Sequence, residues 1–197
     1  MNVTAWSGGT RPFAIGSKKL GMWLFVISDS LTFATLLMVY TYLRIATPTW
    51  PHPFAFSPSI LFASLMTFVL LSSSLAMVTA VHAMQQGDRI SAVRWIFTTA
   101  ACGVGFIVLH AMEWARLLKE TFTEPLFGAT FFTITGLHMT HVAIGAIYLT
   151  VIGTGVARGK FTAEDVEVSG LYWHFVDLVW MFVFPLIYLM SVSGGPR

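Results

Sequence analysis

The chain has 197 residues, of which 56% are hydrophobic and 10% charged, with a net charge of +2 and a mean hydropathy of +0.75. Soluble domains average about 25% charged residues, so this composition excludes a soluble globular enzyme, a disordered chain and a nucleic-acid binder. The single cysteine, Cys102, excludes a disulfide-built domain, a Cys-x-x-Cys-His haem attachment, a two-cysteine copper centre and a four-cysteine iron–sulfur cluster. What remains is a polytopic membrane protein.

A membrane span needs roughly 20 mostly apolar residues, and five windows supply them. Residues 20–43 carry one charge, Asp29. Residues 59–84 carry none. Residues 95–112 are uncharged, and the helix is expected to continue over Glu113-Trp114-Ala115, giving a span of 95–115. Residues 126–157 run without a charge, and 170–192 carry only Asp177. The bilayer interior admits only helices or closed barrels. These runs do not alternate polar and apolar residues, so all five are predicted to be helices. The expected fold is all-α: a bundle of five transmembrane helices forming one membrane domain over residues 1–197.

The connections are short. Residues 44–58 hold Pro48, Pro51, Pro53 and Pro58 and read as an extended interfacial loop. Residues 85–91 contain Gly87-Asp88, residues 116–125 end in a proline suited to opening a helix, and residues 159–169 carry three acids and Lys160. None leaves room for a soluble domain. Cations set the orientation. With the N-terminus inside, Arg11, Lys18, Lys19, Arg89, Arg94, Arg158 and Lys160 lie on the inner side, against Arg44, Arg116, Lys119 and Arg197 outside. That asymmetry predicts the N-terminus inside and the C-terminus outside. The first apolar stretch is long enough to span, so it is not read as a cleavable signal. Trp23, Trp50, Trp95, Trp114 and Trp173 fall near predicted helix ends, where indoles suit the headgroup layer, and the aromatic richness as a whole reads as lipid-facing bulk.

Ionisable groups inside spans are costly and mark sites. Here they are Asp29, His82, His110, Glu113, His138, His141, His174 and Asp177. His110/Glu113, His138/His141 and His174/Asp177 are each three apart, a spacing that shares one helix face. At 1.5 Å per residue, His138 and His141 lie roughly 16 to 21 Å below the outer surface, and Asp29 and Asp177 fall in about the same layer. Three readings compete for this belt. One is interhelical hydrogen bonding. Another is a metal site, but the di-iron bundle pattern runs Glu then His and needs four carboxylates, and a haem pair would need facing histidines. The third is a proton-exchanging carboxyl at Asp29. No metal ligand and no catalytic residue is assigned. Ser72, Ala76 and Ala80, and likewise Gly136 and Thr140, are spaced for close helix approach, and Pro185 should kink the last span.

Four segments then resemble a known family in order along the chain. Gly21-Met22-Trp23-Leu24-Phe25-Val26-Ile27-Ser28-Asp29 is similar to the first conserved helix of subunit III of the haem–copper oxidases. Glu113-Trp114 resembles that family's acid–aromatic pair. Gly128-Ala129-Thr130-Phe131-Phe132, with Thr135-Gly136-Leu137-His138 and His141-Val142, resembles its Gly-Ser-Thr-Phe-Phe helix. Tyr172-Trp173-His174-Phe175-Val176-Asp177 with Val179-Trp180 resembles its final helix.

The resemblance implies a five-helix, non-catalytic subunit III in a bacterial cell membrane, part of a complex that reduces oxygen to water and moves protons. It implies no haem or copper in this chain, with both in partner subunits. The implied partners are subunit I as the main contact, subunit II, a small subunit IV and phospholipid; no nucleic acid is implied. Asp29 stands where the family has its carbodiimide-reactive glutamate, one methylene shorter, and His110 stands where glutamine is expected. The intramembrane polar or proton-linked candidates are Asp29, Glu113, His138, His141, His174 and Asp177. Arg94, Trp95 and Arg116 are the lipid-binding candidates, because arginine and indole donors suit a phosphate near the surface. The alternatives are an accessory subunit of nitric oxide reductase and a free-standing lipid-binding or transport protein.

Overall fold

A computed structural model describes residues 16–52, 54, 59–120 and 125–191. Five helices follow one another: α1 Ser17–Ala46, α2 Leu61–Gln85, α3 Arg89–Glu120, α4 Pro125–Ala157 and α5 Ala163–Val183. A π-helical turn, Phe184–Tyr188, and a 3₁₀ turn, Leu189–Ser191, continue α5. All five are long and apolar enough to cross a membrane. Pro185 lies in the π turn, where its missing N–H is absorbed by a shift to wider hydrogen bonding. Pro125 is the first residue of α4, the position where its absent donor costs nothing. Arg11, Pro53, Pro58 and Arg197 lie outside the described residues.

The helices are longer than their apolar windows. Helix α3 begins at Arg89 rather than residue 95 and reaches Glu120 rather than 115. Helix α5 begins at Ala163 rather than residue 170. Charged residues at a membrane helix end can lie in the headgroup layer without leaving the helix, so hydropathy marks the hydrocarbon segment and not the backbone bounds.

Two turns close the same end of the bundle. Gly87 (φ 82°) and Gly159 (φ 72°) take the left-handed conformation that ends α2 and α4. The α2–α3 turn is completed by Asp88, whose Oδ1 accepts from Ser91 N at 3.0 Å. This hydrogen bonding to Ser91 holds the Asp88 carboxyl below its ordinary range. A depressed carboxyl stabilises the fold above its unfolded value, and the effect fades as pH falls through the folded one. Acidification should therefore erase the Asp88 cap, and Asp88→Asn should remove that part of the acid dependence of thermal unfolding. At α5, Asp165 Oδ2 reaches back to accept from Thr162 N and Thr162 Oγ1, both at 2.9 Å. Asp165→Ala should cost about 1 kcal/mol of stability, measurable as a lowered midpoint in detergent, with Glu164→Ala as the nearly silent comparison.

Helices α2, α3, α4 and α5 form a ring in which each packs on its neighbours, and α1 lies outside it, against α5 and more lightly α4. Only 6% of the apolar window of α1 is buried within the chain, against 50% for α5. Helix α1 is nonetheless pinned at both ends. Lys18 Nζ pairs with Asp165 at 2.6 Å and Lys19 Nζ with Glu167 at 2.5 Å. At the far end Tyr40 Oη lies 3.0 Å from Ser191 Oγ, Arg44 Nη1 donates to Ser191 Oγ at 3.3 Å, and Arg44 Nη2 donates to Met190 O. The sequence offered no means of telling that α1 is the outer helix.

The centre is aromatic. Phe54, Phe106, Phe127, Phe131, Tyr40, Tyr188, Trp173 and Trp180 are all fully buried. This corrects the reading of the aromatic residues as lipid-facing bulk for these central rings, whereas Phe25, Tyr42, Phe68, Phe97 and Phe182 do face outward. It also corrects the placement of Trp173 in the headgroup layer: its ring is 0% exposed and Nε1 donates to Ser73 Oγ at 2.9 Å. Trp23 and Trp95, by contrast, are exposed near helix ends. The small-residue ridge of α2 is Ser73, Ala76 and Ala80; Ser72 faces outward, as does Thr140 on α4. Ala76 and Ala80 thus lie on the packed face as the spacing predicts, and only the first position differs, with Ser73 in place of Ser72.

Candidate functional site

The polar belt divides into three clusters. The first joins α1 to α4. His141 Nε2 lies 3.1 Å from Asp29 Oδ2, although no linear hydrogen bond closes the contact. The other ring nitrogen, Nδ1, is 2.8 Å from Leu137 O. A carbonyl oxygen only accepts, so Nδ1 carries a hydrogen. A neutral ring would then turn a bare Nε2 toward the carboxyl, and two acceptors would face each other. Both side chains are largely shielded, 12% and 15% exposed. Phe33 packs edge-on against the imidazole, with centroids 5.3 Å apart, and Tyr172 Oη donates to His141 O at 3.1 Å.

His138 is three residues from His141 but does not join it. Its ring is fully buried, with Nε2 3.1 Å from Val176 O and the indole of Trp180 at 5.0 Å between centroids. Three residues turn a helix by about 300°, leaving the two side chains about 60° apart. That is enough, at a position between two neighbouring helices, to send one into the bundle and the other to α1. His138 Nδ1 has no hydrogen-bond partner.

The second cluster lies between α2 and α5. His174 Nδ1 is 2.7 Å from Ser74 Oγ. Asp177, one turn further along α5, is 5% exposed, and neither carboxyl oxygen has a hydrogen-bond partner. The third cluster joins α3 to the turn after α5: Tyr188 Oη donates to Glu113 Oε2 at 2.7 Å, and His110 Nδ1 lies 3.6 Å from the same oxygen. His110 is 0% exposed, stacked on Phe106 and held by the edge of Trp180, with neither ring nitrogen hydrogen-bonded. Among the described residues, no three of His, Cys, Asp and Glu converge as metal ligands would.

Arg94 and Trp95 are exposed at the glycine-turn end of α3. Arg116 is about 33 Å away at the other end of the same helix. There Arg116 Nη2 donates to Ser59 Oγ at 3.4 Å beside a cavity of about 210 Å³ lined also by Phe54, Phe62 and Glu113. The three lipid candidates thus belong to opposite ends of the bundle. His82 is exposed and lies 2.9 Å from Gln86 Nε2.

Sequence reasoning missed Tyr188 and Ser74, the neutral partners that complete the second and third clusters. Their only signal was a hydroxyl in an apolar helix, and most such hydroxyls in this chain bond to a carbonyl of the preceding turn, as Thr35, Thr67 and Thr150 do.

Comparison with known proteins bears on the same residues. The family model for cytochrome c oxidase subunit III matches residues 4–192. Cytochrome c oxidase subunit 3 of Bacillus sp. (strain PS3) is 35% identical over 184 residues, covering 90% of this chain and 88% of that one. Quinol oxidase subunit 3 of Bacillus subtilis (strain 168) is 32% identical over 180 residues, covering 89% and 88%. Cytochrome c oxidase subunit 3 of Hippopotamus amphibius is 33% identical over 195 residues, covering 94% of this chain and 74% of its own. Five apolar membrane-length helices, an intramembrane carboxyl–imidazole contact and a family match across nearly the whole chain agree: this multi-pass membrane protein belongs to the cytochrome c oxidase subunit III family.

Proposed function

We propose that this chain is the non-catalytic subunit III of a proton-translocating haem–copper oxidase in a bacterial cytoplasmic membrane. It contributes scaffold, lipid contacts and support for proton uptake, while haem and copper reside in partner subunits. Subunit I is its main contact, with subunit II and a small subunit IV in the same complex. The N-terminus faces the cytoplasm, so the Gly87 and Gly159 turns are inner turns. Phospholipid headgroups bind at Arg94–Trp95 on the inner side and at Arg116 on the outer side.

The observation that carries this reading is the state of α1. Its apolar surface is mostly uncovered by the rest of the chain, yet it is tied at both ends, and it presents Asp29 to His141 in the middle. A helix that only faced lipid would have no use for a carboxyl at hydrocarbon depth. A helix beside a proton-moving subunit has one. Helices α1 to α4 run without a break, so the discontinuous helices expected around a transporter's midplane site are absent from them.

The test is purification of the affinity-tagged chain in mild detergent. Haem and copper should co-purify in a fixed ratio to the chain, with oxygen consumption driven by reduced cytochrome c or by quinol. A chain isolated without haem-bearing partners under conditions that preserve its fold would overturn the assignment.

A further inference from the structure

The second cluster has an entrance. Between α2 and α5, at the end of the bundle closed by the glycine turns, lies an open cavity of about 260 Å³ lined by His82, Gln85, Glu167 and His174 among apolar side chains. Liquid water occupies about 30 Å³ per molecule, so this space holds several. His174 is its innermost polar wall, half-buried, with Nδ1 2.7 Å from Ser74 Oγ. Beyond Ser74 lies Asp177, at hydrocarbon depth and buried; the Ser74 hydroxyl is its polar neighbour, with no closed hydrogen bond to either carboxyl oxygen.

We propose that Asp177 is a buried proton-binding site, loaded from the α2–α5 cavity through His174 and Ser74. A carboxylate there with no hydrogen bond and no counter-ion would cost several kcal/mol; a neutral carboxylic acid removes that cost. The relay balances at every atom. A hydronium ion entering the cavity from solution gives its proton to the bare His174 Nε2 and is left as water. The Nδ1 hydrogen of the resulting imidazolium passes to Ser74 Oγ, and the Ser74 hydroxyl hydrogen passes to an Asp177 oxygen. His174 is left in the neutral Nε2–H form with Nδ1 accepting from Ser74, which fits the short contact between them. The charged and titratable groups around the route are Glu167 and His174 on α5, His82 on α2, and Lys19 on α1, which is paired to Glu167 at 2.5 Å. On α4, His138 approaches the α5 backbone at Val176 O. Among the described residues none of them is a counter-ion in contact with Asp177, so a proton neutralises it. The site deepens the role in proton uptake proposed above and rests on that reading only for its purpose, not for its chemistry.

Infrared spectroscopy of the purified complex tests it. A protonated carboxylic acid gives a carbonyl stretch separate from carboxylate bands. That band should shift when aspartate is ¹³C-labelled in the unmodified protein, and it should vanish in Asp177→Asn. On transfer to D₂O the band should shift as its proton exchanges. Exchange should be on the order of a hundredfold slower in Ser74→Ala and in His174→Phe, as expected on losing a positioned proton-transferring side chain. Ser72→Ala, on the outward face of the same helix, should exchange at the unmodified rate. Loss of no aspartate band in Asp177→Asn would show that Asp177 is ionised and overturn the site. Unchanged exchange in both relay variants would overturn the route. Failure of the oxidase assignment would show separately, as a complex without haem.

Discussion

Gly103→Ala is expected to destabilise the subunit by about 1–3 kcal/mol, the usual cost of forcing a methyl into a filled core. Gly103→Leu is expected to abolish stable folding. A Cβ at Gly103 would stand 2.4 Å from Trp173 Cη2, and one at Gly145 would stand 2.9 Å from Cζ3 of the same ring and 3.0 Å from Tyr172 Cε1. The indole cannot retreat. It is 0% exposed, it comes from α5, it is clamped between α3 and α4, and its Nε1 donates to Ser73 on α2. One side chain therefore touches all three other helices of the ring. Lipid offers no hydrophobic drive for helices to associate, so close packing of this kind supplies much of what holds them. Thermal unfolding in detergent measures the loss. Gly105→Ala is the control, because nothing lies within 4 Å of the Cβ it would gain. Equal midpoints for the Gly103 and Gly105 alanine variants would contradict the clamp. Trp173→Phe should restore part of the loss in Gly103→Ala by vacating the six-membered ring's outer edge, at the cost of the hydrogen bond to Ser73.

Asp29→Ala should loosen α1 by about 1–3 kcal/mol, because it leaves His141 Nε2 facing an apolar space with its partner removed. Asp29→Asn should cost far less. Its amide donates to a bare Nε2 as well as a protonated carboxyl does, while holding no exchangeable charge. The pair is thus separable into two roles. If its function is only to fix α1, the Asn variant should assemble and turn over like the unmodified protein. If the carboxyl serves proton uptake, the Asn variant should assemble normally but turn over more slowly. A double-mutant cycle with His141→Ala measures the coupling, and additive effects would dissolve the pair as an energetic unit. Asp29→Glu is a further probe. Its extra methylene must be accommodated where the contact already stands at 3.1 Å, so α1 must shift or the side chain must fold back.

The sequence by itself determined the fold class. Five long apolar windows with short connections in hydrocarbon admit only a helical bundle, and Pro125 marked a helix start by its chemistry alone. It also determined which residues would be exceptional, since a carboxyl or imidazole in an apolar run carries a cost wherever it points. His110 and Glu113 do meet, because three residues along a helix bring side chains together when one neighbour receives both.

Everything that depended on facing was decided by tertiary structure. The spacing of His138 and His141 is the same as that of His110 and Glu113, but α5 receives one ring and α1 the other. The hydropathy of α4 is apolar all round, so its sequence holds no preferred face to say which neighbour lies where. The outer position of α1 was illegible for the same reason: in lipid, exposed and buried faces of a helix are equally apolar, and packing contacts such as the fit of Trp173 against Gly103 and Gly145 assign α3, α4 and α5 to one ring. Helix ends escaped the hydropathy windows because Asp165 reaching back to Thr162, and Asp88 accepting from Ser91, extend helices into the headgroup layer by hydrogen bonds that hydropathy does not register.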